Sequence, residues 1–467
     1  MRIVMKFGGT SVGDGKRIKN VAELVQGYAT QGHAIVVAVS AMSKVTDTLI
    51  RAARAAAQGD ETIYLDARHT LTNQHLGAIA EAVQGLDNRA ALRDQITRGL
   101  ENFENLCRSI HILGELTPRA LDAVASLGER LIIPILAQAL RESGARAEPI
   151  EASELIVTDD AFTQADPLMD ATRQKARARL MPLLQDGVIP VVTGFIGATR
   201  QGVVTTLGRG GSDFTGTILG AALDADEVWI WTDVNGVMTA DPRVVPNART
   251  IDEISYAEAA ELSYFGAKVI HPKTIVPVAE REIPVRILNT FEPTHPGTRI
   301  VRAPKNHTRT AKAITTIRNL SLVTVEGRGM QGVPGVAAKV FSAVARESIS
   351  VLMSSQSSTE QNMCFVIEAP ETQPAIAALE KEFELERLRH NIDRVWAQEK
   401  IAIVAVVGAG MKNVPGIAAK VFGALGDANL NIISIAQGSS EYNLSLVVSE
   451  GDADAAMRAI HSSFMVS

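Results

Sequence analysis

The chain repeats itself. Gly329-Met330-Gln331-Gly332-Val333-Pro334-Gly335-Val336-Ala337-Ala338-Lys339-Val340-Phe341 returns 81 residues later as Gly410-Met411-Lys412-Asn413-Val414-Pro415-Gly416-Ile417-Ala418-Ala419-Lys420-Val421-Phe422. The same offset pairs Gln356 with Gln437, Glu360 with Glu441 and Asn362 with Asn443. Such a duplication means two similar modules stacked together. Each copy reads as a strand (Ser321 to Val325; Ile401 to Val407), a Pro-Gly loop, a helix and two alternating strands. A Pro-Gly loop that opens a helix and faces a strand ending in glutamine can hold the carboxylate and ammonium of a small amino acid. A structural βαββ pair has the same pattern; the paired Gln356 and Gln437 favour a ligand.

Ahead of the repeat, the stretch Thr205-Thr206-Leu207-Gly208-Arg209-Gly210-Gly211-Ser212-Asp213 sits between an apolar run (Gly187 to Ile196) and a small-residue helix (Thr215 to Leu223). Its glycines let successive N–H groups face one concavity, and the helix adds its positive end, which together make an anion site. Arg209 can fork onto a carboxylate or phosphate, and Asp213 can hold a metal or orient a nucleophile. A glycine-rich surface loop is the plainer alternative.

A second anion corner opens the chain. Ile3 to Phe7 reads as a buried strand, Gly8-Gly9-Thr10-Ser11 as a turn and Lys16 to Tyr28 as an amphipathic helix. The P-loop spacing is absent, and Lys6 precedes the glycines. A solvated edge lysine is disfavoured by the apolar run around Lys6, where an unpaired ammonium is costly. Ala34 to Val39 is a parallel-type strand ending at Ser40 to Thr46, so Ser40 and Thr46 are either ligand hydroxyls or helix caps.

Residues 48 to 116 read as mostly helical, and Thr117 to Arg141 as one long helix. Glu129 lies there among Leu127, Leu131, Ile132 and Ile133, and must find a partner in a structural pair or in the ammonium of a ligand. The strand Glu227 to Trp231 leads into Thr232-Asp233-Val234-Asn235-Gly236-Val237-Met238 and on to Arg243, a loop whose groups suit a ribose and phosphates. Lys268 is a further phosphate partner, and His271 a structural histidine. Pro293 to Pro304 reads as a linker.

Composition excludes several classes. With 467 residues and a net charge of -6, the chain is long enough for about three domains and has no basic face for nucleic acid or membrane. Cys107 and Cys364 lie far apart without metal-type spacing and read as buried thiols in a reducing compartment. The start of the chain leaves no room for a signal peptide, and the longest apolar runs are too short for a bilayer, so a soluble cytoplasmic protein is expected.

Five ordered motifs, Lys6-Phe7-Gly8-Gly9-Thr10-Ser11, Ser126-Leu127-Gly128-Glu129, Thr206 to Asp213, Thr232-Asp233-Val234 and Phe265 to Pro272, resemble those of aspartokinases, and the repeats resemble tandem ACT domains. The resemblance implies an α/β amino acid kinase fold, a mainly parallel sheet with helices on both faces, over residues 1–300. Two α+β ferredoxin-like ACT domains would follow at 315–395 and 400–467. It implies transfer of phosphate from ATP, with Mg2+, to the side-chain carboxylate of L-aspartate, at the entry to lysine, threonine and methionine synthesis.

By the same resemblance Lys6 and Asp213 are catalytic, while Ser40, Thr46, Glu129, Arg209, Gly210, Gly211 and Ser212 bind substrate. Lys6, Phe7, Gly8, Gly9, Thr232, Asp233, Met238, Arg243 and Lys268 face the nucleotide, with Met238 standing where many relatives have tyrosine. Val333, Gln356, Val414, Gln437 and Asn443 form the effector sites. The segment Ile435 to Glu441 is similar to that of threonine-responsive members, so threonine is expected as the first inhibitor and lysine as the second. A monofunctional enzyme is expected, since the chain ends after the second repeat, and a homodimer or homotetramer through the ACT domains. A kinase of another acceptor (glutamate, carbamate or a nucleoside monophosphate) and an amino-acid sensor with an inactive kinase module are the competing readings.

Overall fold

The computed structural model describes residues 1–266, 270–304, 310–357, 361–438 and 441–465. It divides into two compact units. The first holds Met1–Val237, Thr250–Ala260 and Lys268–Pro304; the second holds Met238–Arg249, Glu261–Ala267 and Lys305–Ser467.

The first unit is built on an eight-stranded sheet. From one edge the strands run Ala147–Ile150, Ile189–Thr193, Ala34–Val39, Arg2–Phe7, Glu227–Thr232, Val285–Asn289, Thr298–Val301 and Glu253–Ser255. All neighbours are parallel except Val285–Asn289 with Thr298–Val301. The central strands are near-continuous apolar runs because both faces are covered, and Ile3, Val4, Met5 and Phe7 are all fully buried. Arg2–Phe7 has the next strand in sequence on one side and Glu227–Thr232 on the other. The chain therefore turns opposite ways from this strand, and its carboxyl end is where an open α/β sheet leaves a crevice.

Helices Gly15–Thr30, Glu61–Ala82, Leu86–Leu113 and Leu127–Glu142 pack one face through Leu71, Phe103, Ile132 and Leu136. The Asp14 carboxylate caps the first of them by accepting from the Arg17 N–H at 2.9 Å. The stretch expected as one helix from 117 to 141 is two, Pro118–Ala125 and Leu127–Glu142, broken at Ser126. The break brings Gly128 onto Ala41, where a Cβ would lie 2.9 Å from the alanine methyl.

Two other expectations change. The apolar run from Gly187 leaves the main sheet at Thr193, and Ile196–Thr199 joins Val157–Thr158 and Val204–Thr206 in a small separate sheet. Pro293 to Pro304 is not a plain linker, since Thr298–Val301 is a strand of the main sheet. The Thr298 hydroxyl holds it there, accepting from the Val237 N–H and donating to the Ile251 carbonyl.

The second unit carries an antiparallel six-stranded sheet in the order Met353–Gln356, Asn362–Glu368, Ala313–Glu326, Arg394–Val407, Asn443–Ser449, Ser434–Gln437. Its two long strands pair along their whole length, with an irregularity between Ile317 and Leu322. Each repeat thus lends a half-strand to the other. Ala313–Ile317 lies against Ile403–Val407, whose other neighbour is Asn443–Ser449, while Arg394–Gln398 lies against the strand that also pairs with Asn362–Glu368. Two cores result, one around Val323, Val340, Phe365 and Leu379, the other around Val404, Val421, Leu446 and Ile460. Ala240 and Val245 belong to the second of these cores. No described helix is long and apolar enough to cross a membrane.

Phe365 is fully buried and its ring tilts against Phe341. Phe365→Ala should lower the stability of the second unit by about 3–5 kcal/mol, read from denaturant-dependent amide exchange in the strand Asn362–Glu368. A loss below about 1 kcal/mol would mean that this core collapses around the gap.

Candidate active site

Lys6 is the last but one residue of the central strand, and its side chain is 9% exposed. It survives burial because its ammonium lies 2.5 Å from Oδ1 of Asp213. The Gly8 N–H donates to the Trp231 carbonyl and the Ser40 N–H to the Phe7 carbonyl, so the three strand ends leave the sheet side by side. Phe7 is fully buried and stacked on Trp231 (5.9 Å between centroids, 8° between planes), leaving only its backbone to meet a ligand.

Asp213 stands in the first turn of helix Gly211–Leu223. The helix is preceded by Gly210 at φ 74, a left-handed conformation that a side chain rarely adopts, and a Cβ there would meet the His271 Cβ at 2.7 Å. Glycine at 210 is therefore required twice over, and it sets the N–H groups of the first turn beside the carboxylate. Arg209 is exposed and makes no ion pair among the described residues. His271 caps helix Pro272–Ala279, its Nδ1 accepting from the Lys273 N–H at 3.3 Å, as a structural histidine would. Burial, then the charges of Arg209 and Lys273, hold His271 below its ordinary pKa.

Glu129 lies in the first turn of helix Leu127–Glu142, 3% exposed. The structural pair left open in the sequence goes elsewhere, since Arg130 reaches Glu151 at 2.9 Å. Oε2 of Glu129 is buried without a hydrogen-bond partner among the described residues. Burial pushes this carboxyl up to about 8, against the pull of the Ala41 N–H and the Lys6 charge. The Thr46 hydroxyl lies against the neighbouring Gly128, 3.4 Å from where a Cβ would stand. An orphaned buried carboxyl oxygen near a lysine suits a ligand ammonium.

Lys6, Phe7, Gly8, Gly9, Ser40, Thr46, Glu129, Arg209, Gly210, Gly211, Ser212, Asp213, Thr232 and Asp233 all belong to the first unit. Thr232 ends its strand with its hydroxyl donating to Asp233 at 3.3 Å. Met238 and Arg243 belong to the second unit, where Arg243 forks onto Asp241. Lys268 lies outside the described residues. Among the described residues no group of three or more His, Cys, Asp or Glu could hold a metal ion.

In the repeats, Gln356 and Gln437 end their strands exposed, and Val333 and Val414 are exposed in the Pro-Gly loops. Asn443 is engaged: its amide donates to Glu261 at 2.7 Å, and its oxygen accepts from Ser445 at 2.8 Å. Glu360, Ser439 and Ser440 lie outside the described residues. Asp122, buried against the Thr206 strand end, carries no motif in the sequence. Its one signal is a carboxylate within the apolar turn Leu121 to Val124.

Residues 1–289 match the model of the amino acid kinase family, and 323–383 and 404–464 each match an ACT domain model. The class is therefore an amino acid kinase joined to two ACT modules. The chain is 39% identical to bifunctional aspartokinase/homoserine dehydrogenase 2, chloroplastic, of Zea mays, over 99% of this chain and 50% of that protein. It is 34% identical to aspartokinase 3, chloroplastic, of Arabidopsis thaliana, over 99% and 81%. The structure is similar to E. coli aspartokinase III with aspartate and ADP (TM-score 0.82, 32% identity, 99% of both chains). It is similar also to that enzyme with lysine and aspartate (TM-score 0.80, 33% identity, 99% of both). The chain belongs to the aspartokinase family, and spans about half the length of the bifunctional relatives it matches.

The Glu129 shift has a thermodynamic consequence. Between pH 4.5 and about 8 the folded chain keeps a proton that the unfolded chain releases, so stability falls as pH rises through this window and levels off above it. Glu129→Gln should flatten that fall, by up to about 1.4 kcal/mol per pH unit, in denaturant titrations at several pH values. An unchanged slope would place the raised carboxyl elsewhere.

Proposed function

We propose that the protein transfers the γ-phosphoryl group of ATP to the side-chain carboxylate of L-aspartate, giving 4-phospho-L-aspartate and ADP. The observation that carries this reading is Glu129, a buried carboxyl with a free oxygen, set near the Lys6–Asp213 pair. An acceptor with an ammonium beside its reacting carboxylate completes such a site, whereas carbamate or a nucleoside monophosphate leaves Glu129 without a partner. E. coli aspartokinase III, bound to aspartate and ADP, supports the same substrates.

The chemistry asks for position and charge. The aspartate carboxylate oxygen attacks the γ-phosphorus, the bond to the β-phosphate bridging oxygen breaks, and ADP leaves with the electron pair. No proton has to move, so no base is needed. Lys6 neutralises the charge on the transferring group, and Asp213 holds Lys6 in place. Glu129 takes the ammonium, Arg209 the remaining carboxylate, and Ser40, Thr46 and the Gly210-Gly211-Ser212 turn surround the acceptor. Gly8, Gly9, Thr232 and Asp233 of the first unit face the nucleotide, with Lys268 added by its motif. Mg2+ would ride on the phosphates and add charge neutralisation there.

The ACT modules bind an end-product amino acid, threonine first and lysine second. The E. coli enzyme has been captured with lysine, which supports an amino-acid effector. The glutamine-ended strands (Gln356, Gln437) and the loops carrying Val333 and Val414 supply the sites, and Asn443 joins one of them by giving up Glu261. Inhibition follows when the effector binds the inactive arrangement more tightly. The reading places the enzyme at the first step to lysine, threonine and methionine, in the cytoplasm, as a homodimer or homotetramer.

Hydroxylamine trapping of the acyl phosphate should give aspartate-dependent hydroxamate, suppressed by threonine and less strongly by lysine. Lys6→Ala and Asp213→Ala should each lower kcat by about a hundredfold or more. No turnover with tight amino-acid binding would favour a sensor instead, and near wild-type turnover in either variant would remove the assigned roles.

A further inference from the structure

Asp122 lies in helix Pro118–Ala125 and is 1% exposed. Its two carboxylate oxygens accept three hydrogen bonds from two other segments. The Thr206 hydroxyl donates to Oδ1 at 2.6 Å, and the Thr206 N–H and Thr163 N–H donate to Oδ2 at 3.0 and 2.9 Å. Thr206 is the last residue of its strand, three positions before Arg209. Thr163 sits at φ 73 in the loop that closes on the same turn, where its carbonyl is 3.2 Å from a Cβ built on Gly208. The Ala165 N–H donates back to the Thr206 carbonyl at 2.9 Å. Beyond Thr206, the Leu207 N–H donates to Phe195 and the Gly211 N–H to Gly208. Thr206, at the strand side of the Gly208-Arg209-Gly210 turn, is thus held by Asp122 and by the loop that Asp122 holds, with the Leu207 bond to Phe195 as a separate tie.

We infer that Asp122 is the positioning residue of the acceptor site, holding the Gly208-Arg209-Gly210 turn so that Arg209 meets the carboxylate of an amino-acid substrate. The inference rests on the aspartate kinase reading for the identity of that substrate. The two N–H groups demand an acceptor oxygen, and the carboxylate meets them and the Thr206 hydroxyl at once. Burial outweighs the Thr206 and Thr163 donors and raises this carboxyl, so the hydrogen bonds offset part of the cost of burying it. An apolar residue would have packed the helix as well. The lattice of bonds is specific to the turn, and Asp122 itself touches neither Lys6 nor Asp213 among the contacts described.

Asp122→Ala removes the acceptor of all three hydrogen bonds. It should raise KM for aspartate about tenfold, while KM for ATP stays within about twofold and kcat within about threefold. Amide exchange in residues 207–211 should rise in the same variant. Thr206→Val is a second, milder variant that loses only the hydroxyl bond; it should move the aspartate KM in the same direction, with Thr206→Ser closer to wild type. A lower melting temperature with unchanged aspartate KM, or equal rises in both KM values, would overturn the inference and leave Asp122 a packing residue. Wild-type protein without aspartate-dependent turnover would instead sink the kinase reading, and the exchange of residues 207–211 would then decide the anchoring by itself.

Discussion

The ion pair between Lys6 and Asp213 is the interaction on which the first unit depends. It joins the middle of the sheet to the first turn of a helix more than two hundred residues away in sequence, and it does so where both side chains are largely removed from water. Removing one member of such a pair leaves a charge buried without compensation, at a cost of about 3–5 kcal/mol. Stability alone would be served as well by two apolar residues. Retaining the charges makes sense when a highly anionic group has to be met in the same place.

Around that pair the site divides by sign. On one side are Lys6, the N–H groups of the Gly211 helix and the exposed Arg209, all suited to oxygens bearing negative charge. On the other is Glu129, whose carboxyl is kept near neutrality by burial and has an oxygen to spare. A zwitterion with a second carboxylate satisfies both halves at once. The helix break at Ser126 and the close seat of Gly128 on Ala41 are what bring Glu129 to the ends of the strands. Here local backbone geometry and the chemistry of the site are one problem.

The second unit solves a different problem with the same economy. Each repeat has too little sheet to cover its own helices, and the long strands Ala313–Glu326 and Arg394–Val407 cross from one module to the other so that each is completed by its twin. Residues 238–249, which follow the Glu227–Thr232 strand in sequence, supply Ala240 and Val245 to one of these cores, with the Thr239 carbonyl accepting from Ile314. A segment that reads as nucleotide loop is thus part of the packing of the second unit. Sequence proximity to Thr232 gave no sign of this, because the apolar residues concerned are scattered among Asp241, Pro242 and Arg243.

What the sequence determined by itself was the local chemistry. Apolar runs without alternation marked the buried parallel strands, the glycines marked the turns at their ends, and the 81-residue repeat marked the twin modules, since each of these is a short-range pattern imposed by backbone geometry. Lys6 and Glu129 stood out as charges in apolar settings, and Asp213 by its place at the end of a glycine-rich stretch, signals that need no tertiary knowledge. Tertiary structure alone decided where the other charges go: Glu151 for Arg130, none among the described residues for one oxygen of Glu129. It alone revealed Asp122, whose three donors come from residues 163 and 206, and it turned an apparent linker into a strand through the Thr298 hydroxyl. The physical reason is the same in each case. Hydrogen bonds and ion pairs between distant segments are fixed by how helices and sheet pack, and no spacing along one stretch of chain records them.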